Sequence, residues 1–319
     1  MAATTSSLHK DEQTYHELFS SPEADVVLCS ADGIQYRVRS YTLRTTSGLF
    51  RTLFSLPQPK TQTEARCEPL PTHENAETLT ILLLILSGRP IPDSIKQRGD
   101  TIERVLSLAE AWDAQGAITA IRPILSCPEI LETKPFLLYR LASHFGWEEE
   151  RKLASSYTLT FDIFADGADG ADRSSALQES LERLSSKDLL ALLDLRRRRC
   201  ETFNRLLDSV ERFAAGNSSS YICPRCGITA LDNKTWRALK LAMRLEMDRR
   251  PLGDGIVGGP VHGIGGNRGE IGVIAWPEAD ACWEAVCTKE GCGGLHYDRN
   301  ATLRQIRDCV EALPMSTDA

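Results

Sequence analysis

The chain has 319 residues, of which 42% are hydrophobic and 25% charged, and its formal net charge is −7. This length suggests about two domains and a core large enough to fold without disulfide bonds. The acidic balance argues against a protein that binds nucleic acid through a general positive field. The longest apolar run, Ile81 to Leu86, is too short to cross a bilayer, so we expect no membrane segment.

The N-terminal sequence predicts an intracellular protein, with cytoplasm and nucleus both open. Residues 1–10 contain no apolar stretch of the kind that directs secretion. The ten cysteines are therefore expected to be reduced, as packing thiols or metal ligands. We expect residues 1–22 to form a disordered or short N-terminal arm.

The segment from Asp25 to Leu56 predicts a β-hairpin followed by two helices. Val26–Leu28 is an apolar run, Asp32-Gly33 favours a tight turn, and alternating apolar residues then predict a second strand. After Arg39 the apolar residues recur every three or four positions, which is typical of an amphipathic helix. We expect one core to contain Val26, Leu28, Tyr36, Val38, Leu43, Phe50, Leu53, Phe54, Leu82 and Leu86.

Apolar spacing predicts that most of the remaining chain is helical. Helices are expected over 74–87, 102–112, 117–125, 135–145, 148–159, 176–184, 187–213, 235–249 and 303–313. Gly146 is expected to end one helix, and Ser185 with Asp188 to cap the long one that follows. The fold class is therefore predicted to be α+β, with a helical C-terminal part.

Asp25-Val26, the strand–turn–strand unit and Ser47-x-x-Phe50-x-x-x-Phe54 resemble the opening of a BTB/POZ domain. The sequence is most similar to the large set of such proteins in mushroom-forming fungi. The resemblance implies a BTB/POZ domain over residues 23–126, made of a small sheet with helices, and a helical extension over 127–216. It also implies a non-enzymatic protein-interaction module. Such a module dimerises or acts as an adaptor, including an adaptor for a cullin-type ubiquitin ligase.

One position departs from the family pattern. Many BTB domains place a basic residue where this chain has Ser40, and that residue lines a charged pocket at the dimer interface together with the equivalent of Asp25. Ser40 therefore argues against the usual dimer. Arg39 is the alternative partner for Asp25.

Cys223-Pro-Arg-Cys226-Gly227 has the pattern of a zinc knuckle, because a two-residue gap lets both thiolates face one ion. A redox pair is the alternative, but the strand-to-helix setting of a thioredoxin-like motif is missing. Cys287-x4-Cys292 is the expected second half. We predict that these four cysteines hold one structural zinc ion in a C-terminal domain over 217–319.

Other ligand sets stay open. His296 or Cys282 can replace one of the four thiolates, and unliganded packing thiols are the remaining interpretation. The motive for a metal is the small number of apolar residues between Leu252 and Ile271, which leaves the two halves of the domain with little else to join them.

The sequence offers no catalytic motif. The six histidines fit neither the Gly-x-Ser-x-Gly nor the His-Glu-x-x-His spacing. The glycine-rich segment Gly263–Gly269 lacks the spacing of a dinucleotide or phosphate loop and is predicted to be a flexible surface loop. We therefore expect no enzymatic activity.

The run Arg196–Arg199, together with the cysteine pair of the knuckle, prompts an alternative function: a zinc-containing transcription or chromatin-associated factor. Four consecutive arginines fit a nuclear-localisation signal, and the other interpretation is a solvated helix face that pairs with Asp194 and Glu201. The acidic balance and the lack of a basic recognition helix beside the cysteines argue against nucleic-acid binding.

Overall fold

A computed structural model describes residues 14–57, 68–164, 171–265 and 271–317. The chain divides into two compact units, Met1–Ile130 and Leu131–Ala319. The fold is α+β and mostly helical, with a small three-stranded sheet. None of the helices in the described ranges is long and apolar enough to cross a membrane. Residues 1–13 of the predicted arm and 266–269 of the glycine-rich segment lie outside these ranges.

The sheet of the first unit consists of β1 (Val26–Cys29), β2 (Gln35–Val38) and β3 (Leu70–Pro71). Its order is β2-β1-β3, with β1 antiparallel to β2 and parallel to β3. The hairpin between β1 and β2 is the one predicted from the sequence. Gly33 lies in its turn with a φ of 84°, which residues with a side chain rarely adopt. The carboxylate of Asp32 accepts a hydrogen bond from the backbone N–H of Ala76 at 2.9 Å, which ties this turn to the following helix.

The helices of the first unit are α1 (Ser40–Thr46), α2 (Gly48–Leu53), α3 (Ala76–Leu86), α4 (Gly99–Ala111) and α5 (Gln115–Leu125), and α6 (Pro128–Thr133) spans the boundary between the units. Ser47 caps α2, since its Oγ accepts the N–H of Phe50 at 3.2 Å. The same hydroxyl donates to the carbonyl oxygen of Trp112 at 2.6 Å, so the cap also fixes α2 to the end of α4.

The predicted core of the first unit is confirmed at eight of its ten positions, which are buried. It is wrong at the other two, because Leu53 is 36% exposed and Phe54 is only half-buried. Leu53 is the last residue of α2 and Phe54 is its C-cap, so both lie where the helix ends. Phe50 makes the interior contact instead, with its ring edge-on to Trp112 at a centroid distance of 4.9 Å.

The second unit contains α7 (Pro135–Phe145), α8 (Glu148–Thr158), α9 (Ala171–Glu182), α10 (Ser186–Leu207), α11 (Ala214–Asn217), α12 (Lys234–Arg249), α13 (Asp254–Val257), α14 (Pro277–Trp283) and α15 (Arg299–Glu311). Gly146 ends α7 in the left-handed conformation, and the Oγ of Ser185 accepts the N–H of Asp188 at 3.1 Å, both as predicted. The long helix ends earlier than predicted, at Leu207, because the side-chain amide of Asn217 donates to the Leu207 carbonyl oxygen at 2.7 Å.

One apolar core joins the parts of the second unit that lie on either side of residue 216. Its buried members include Leu195, Phe203, Leu207, Trp236, Met243, Leu252, Ile256, Val261, Ile264, Ile306 and Val310. Gly216 permits this packing, because a β-carbon there would lie 2.3 Å from Cδ1 of Trp236. The expectation that the segment from 252 to 271 has little apolar packing is therefore wrong for its described part.

The arginine run of α10 is divided between interior and surface. Arg196 and Arg199 are only 6% and 0% exposed, so half of the run is not available as a surface signal. Burial lowers the pKa of each guanidinium to about 10, which still leaves both charged at neutral pH. Arg196 donates hydrogen bonds to the carbonyl oxygens of Thr158, Phe161 and Arg249.

Arg197 and Arg198 behave as the solvated-face interpretation predicts. Arg197 pairs with Asp194 at 2.6 Å and with Glu201 at 3.0 Å, and Arg198 pairs with Asp194 at 3.0 Å. Helical periodicity explains the division, since positions 196 and 199 are three apart and share one face of α10.

Candidate metal centre

Cys223 and Cys226 lie in a tight turn between α11 and α12. The turn is closed by hydrogen bonds from the Cys223 N–H to the Thr229 carbonyl oxygen and from the Gly227 N–H to the Cys223 carbonyl oxygen, both at 2.8 Å. Gly227 has a φ of 62°, the left-handed conformation that lets the chain reverse directly after the second cysteine. The local sequence thus places both sulfurs on the inside of one turn.

Cys287 and Cys292 lie in a second turn, between α14 and α15. The N–H of Cys287 donates to the Gly294 carbonyl oxygen at 2.8 Å, and the N–H of Cys292 donates to that of Lys289 at 3.0 Å. An antiparallel bridge between Val286 and Leu295 closes the base of this turn, as a bridge between Ile222 and Ala230 closes the first. The two turns therefore present their cysteines in a similar way.

The structure brings all four predicted cysteines together. Their Sγ atoms lie within 4.8 Å of one another, and the cluster can hold a metal ion. The Sγ atoms of Cys223 and Cys292 are 3.8 Å apart, as are those of Cys226 and Cys287. Tetrahedral zinc–sulfur bonds of about 2.3 Å place sulfurs about 3.8 Å apart, whereas a disulfide bond is about 2.05 Å long. The spacing is that of metal ligands.

Hydrogen bonds to sulfur favour the thiolate form of the first turn. The backbone N–H groups of Thr229 and Ile228, followed by the Thr229 hydroxyl, lower the pKa of Cys226 to about 6. The backbone N–H of Cys226 lowers the pKa of Cys223 against the opposing effect of burial. Backbone amides directed at sulfur are what a thiolate ligand requires, because they stabilise its negative charge.

In the second turn the pKa of Cys292 is shifted in the opposite direction. At Cys292 the backbone N–H of Gly294 acts to lower the pKa, but burial and hydrogen bonding with the three other cysteines raise it to about 11. Four thiols in one small volume resist complete ionisation, since like charges at this distance repel one another. A bound cation would remove that resistance, which is the chemistry expected of a metal site.

Neither alternative ligand belongs to the cluster. Cys282 is fully buried in the apolar core of the second unit, where burial raises the pKa of its thiol to about 11. His296 is 8% exposed, and neither ring nitrogen has a hydrogen-bond partner among the described residues. Among the described residues, the cluster therefore consists of the four predicted cysteines and includes neither Cys282 nor His296.

Gly294 is a site residue that sequence reasoning missed. A β-carbon at this position would lie 2.9 Å from the Sγ of Cys223 and 3.4 Å from that of Cys292. Its carbonyl oxygen also accepts the hydrogen bond that orients Cys287. The signal was present as the Gly-Gly pair that follows Cys292.

No protein-family model, curated protein or solved structure matches this chain. The functional interpretation therefore rests on the geometry and chemistry of its own residues.

Proposed function

We propose that this protein is a non-catalytic protein-interaction module whose second unit is held together by one structural zinc ion. The ligands are Cys223, Cys226, Cys287 and Cys292. The proposal rests on the closed set of four sulfurs, with two pairs at the 3.8 Å spacing of a tetrahedral site. Four thiolates complete the coordination of zinc and leave no position for a reacting water molecule.

The location of the cluster supports a structural role. The pair Cys223 and Cys292 joins positions 69 residues apart, and the pair Cys226 and Cys287 joins positions 61 apart. Helices α12, α13 and α14 lie between the two turns, so a metal ion fixes both ends of this segment against each other. Zinc binding by such sets contributes about 10–16 kcal/mol in small zinc-finger peptides.

The interaction role is assigned to the first unit, which we propose is a BTB/POZ domain. Its sheet, hairpin and capped helix pair follow the sequence pattern on which the resemblance is based. The first two helices and the turn that follows them also expose apolar side chains, with Tyr41, Leu49 and Leu56 exposed by 75%, 44% and 55%. Exposed apolar side chains favour docking of another protein where they form a patch. The proposed partner is a second copy of the chain or a ligase subunit of the cullin type.

The alternative of a zinc-containing transcription or chromatin-associated factor has less support. Its motive was the arginine run, and Arg196 and Arg199 are committed to backbone carbonyl oxygens inside the second unit. The remaining pair, Arg197 and Arg198, forms ion pairs with Asp194 and Glu201 on the same helix.

Elemental analysis of the purified full chain tests the metal assignment. We expect one zinc per chain, and we expect Cys226→Ser to lose it together with the cooperative unfolding of the second unit. Cys127→Ser is the matched control, because Cys127 lies outside the cluster, and it should retain the metal. Iron in place of zinc, or a reduced wild-type chain that folds fully after metal removal, would contradict the proposal.

Analytical ultracentrifugation of the full chain tests the interaction role. We expect concentration-dependent association that is weakened by Leu49→Arg combined with Leu53→Arg. The control combines Leu241→Arg with Leu245→Arg, a pair of exposed leucines with the same spacing on α12. A monomer at every concentration, or association lost only in the control, would show that the chain does not associate through the first unit.

A further inference from the structure

An open groove of about 520 Å³ runs beside α15 in the second unit. Ile256, Val273 and Ile306 form its buried floor. Ile271 and Ile274 form its rim and are 68% and 36% exposed. The groove therefore offers aliphatic contact area that the described residues leave open to solvent.

Among the described residues, the lining of the same groove carries positive charge without a matching acid. Arg304 and Arg307 line it and are exposed, and its lining contains neither Asp nor Glu. Their hydrogen bonds go to backbone carbonyl oxygens, from Arg304 to Asn300 and from Arg307 to Val257, each at 3.4 Å. Within the described residues neither guanidinium has a carboxylate partner, so both are available to one from outside.

A second open groove, of about 820 Å³, continues this surface along the start of α15, since the two grooves share Ile274 and Asn300. It adds Arg212 and Arg299, which are exposed and likewise lack a carboxylate partner among the described residues. Its one acidic residue, Asp298, is engaged as the N-cap of α15 and accepts the N–H of Ala301 at 2.9 Å. Four arginines thus gather on one elongated surface of a chain whose net charge is −7.

We propose that this surface, the α15 groove, binds an acidic peptide segment of a partner protein. Aliphatic side chains of the segment pack on the aliphatic floor, and its carboxylates form charge-assisted hydrogen bonds with Arg304 and Arg307. The continuation past Asn300 suits an extended chain better than a small molecule, because it prolongs both the groove and the positive charge. Complementary charge of this kind speeds encounter and selects acidic partners.

A peptide fits the groove better than a nucleic acid does. Single-stranded nucleic acids are held by aromatic side chains on which bases stack. The lining of the first groove contains no aromatic residue, and in the second groove Phe213, Trp236, His296 and Tyr297 are buried, which leaves Tyr221 half-exposed. None of the four metal ligands lines either groove, although Pro224 of the first cysteine turn lines the second. A monomeric first unit, or a metal other than zinc, would therefore leave this proposal standing.

Selection from a random peptide library against the immobilised full chain tests the proposal. We expect enriched peptides to combine Asp or Glu with Leu, Ile or Val. Fluorescence anisotropy with the most enriched peptide should show binding that weakens at high salt and falls at least about tenfold in Arg304→Glu combined with Arg307→Glu. Isotope-labelled isoleucine methyl groups should report the contact at Ile271 and Ile274.

The matched control is Arg205→Glu combined with Arg237→Glu, which makes the same charge change at exposed positions of the second unit outside both grooves. We expect its affinity to stay within about twofold of the wild type, because distant surface charges act weakly. If the groove variant lowers the unfolding midpoint, Arg304→Gln with Arg307→Gln replaces it.

Three results would overturn the proposal. The first is an enriched set without acidic residues, or no enrichment at all. The second is equal binding by the groove variant and the wild type. The third is tight binding of poly-uridine RNA that is lost in the groove variant, which would assign the surface to nucleic acid.

Discussion

The guanidinium of Arg199 donates a hydrogen bond to the carbonyl oxygen of Leu252 at 3.0 Å, across 53 positions of the chain. The same side chain, which has no exposed surface, donates to the carbonyl oxygens of Pro251 at 2.6 Å and Pro314 at 2.5 Å. One buried cation therefore donates to backbone carbonyl oxygens of two segments, 251–252 and 314, that lie outside helices and strands. Arg199 thus holds α10, the start of α13 and the C-terminal segment together.

We expect Arg199→Met to destabilise the chain by about 3–5 kcal/mol, because each buried carbonyl oxygen left without a donor costs about 1–3 kcal/mol. Denaturant unfolding followed by tryptophan fluorescence measures the change. Arg197→Met is the control, since Arg197 is exposed and its surface ion pairs are worth about 0–1 kcal/mol. Equal effects of the two substitutions would show that the carbonyl contacts of Arg199 do not stabilise the fold.

The two phenylalanines of α2 give a second prediction. Phe50 is buried and its ring meets Trp112 edge-on, so Phe50→Ala should cost about 3–5 kcal/mol. Phe54 is half-buried at the end of the helix, and Phe54→Ala should cost clearly less. Thermal unfolding of both variants ranks them. A larger loss for Phe54→Ala would mean that the main buried contact of α2 lies at its C-terminal end and not at Phe50.

The sequence predicted the elements of the first unit well, because each has a local signal. The alternation in β2, the Asp32-Gly33 turn and the Ser47 cap are determined by neighbouring residues. Periodicity alone could not reveal where α2 leaves the core, since Phe50 and Phe54 occupy the same face of an ideal helix. The two differ because Phe50 packs against Trp112, whereas Phe54 lies just beyond the last residue of the helix.

Asp25 and Ser40 provide a prediction that depends on pH. The Ser40 hydroxyl and backbone N–H donate to the two carboxylate oxygens of Asp25 at 2.5 and 2.7 Å, and these bonds lower the pKa of that carboxyl. Arg39, which was expected to pair with Asp25, forms an ion pair with Glu23 at 2.7 Å and adds to the lowering through its charge.

A carboxyl whose pKa is lower in the folded state adds stability above its unfolded pKa, and that stability is lost as the pH falls through the folded value. Ser40→Ala should therefore raise the pKa of Asp25 toward 3.8. The variant should also lose less folding stability than the wild type when the pH falls through this range. A carboxyl-detected NMR titration of the full chain measures the shift. Ser55→Ala is the control, since the Ser55 hydroxyl donates to the Thr52 carbonyl oxygen. An unchanged Asp25 pKa in Ser40→Ala would show that the hydroxyl does not stabilise the carboxylate.

The four cysteines of the cluster could be predicted because both pairs carry a short spacing that is readable along the chain. The core around the cluster could not, because Leu252, Ile256 and Val261 are separated by polar and glycine residues and pack against distant parts of the chain, which include α12, α15 and residues 272–275. Nor could the division of the arginine run, since the carbonyl partners of Arg199 are more than fifty positions away. Local spacing was sufficient for the ligands, and long-range contacts decided what surrounds them.

Gly294 provides the last prediction, because the metal site has no room for a side chain at this position. A β-carbon there would lie 2.9 Å from the Sγ of Cys223 and 2.9 Å from Cβ of Arg225, well inside ordinary contact distance. Gly294→Ala should push the two turns apart, and since residues that support metal ligands contribute about 10–100-fold to metal affinity, we expect a loss of about tenfold or more. Competition between the protein and a chromogenic zinc chelator measures the affinity. Gly259→Ala is the matched control, because a β-carbon at that position would have no atom within 4 Å and its backbone needs no left-handed angle. Equal zinc affinity in the two variants would show that the sulfurs of Cys223 and Cys292 do not meet beside Gly294.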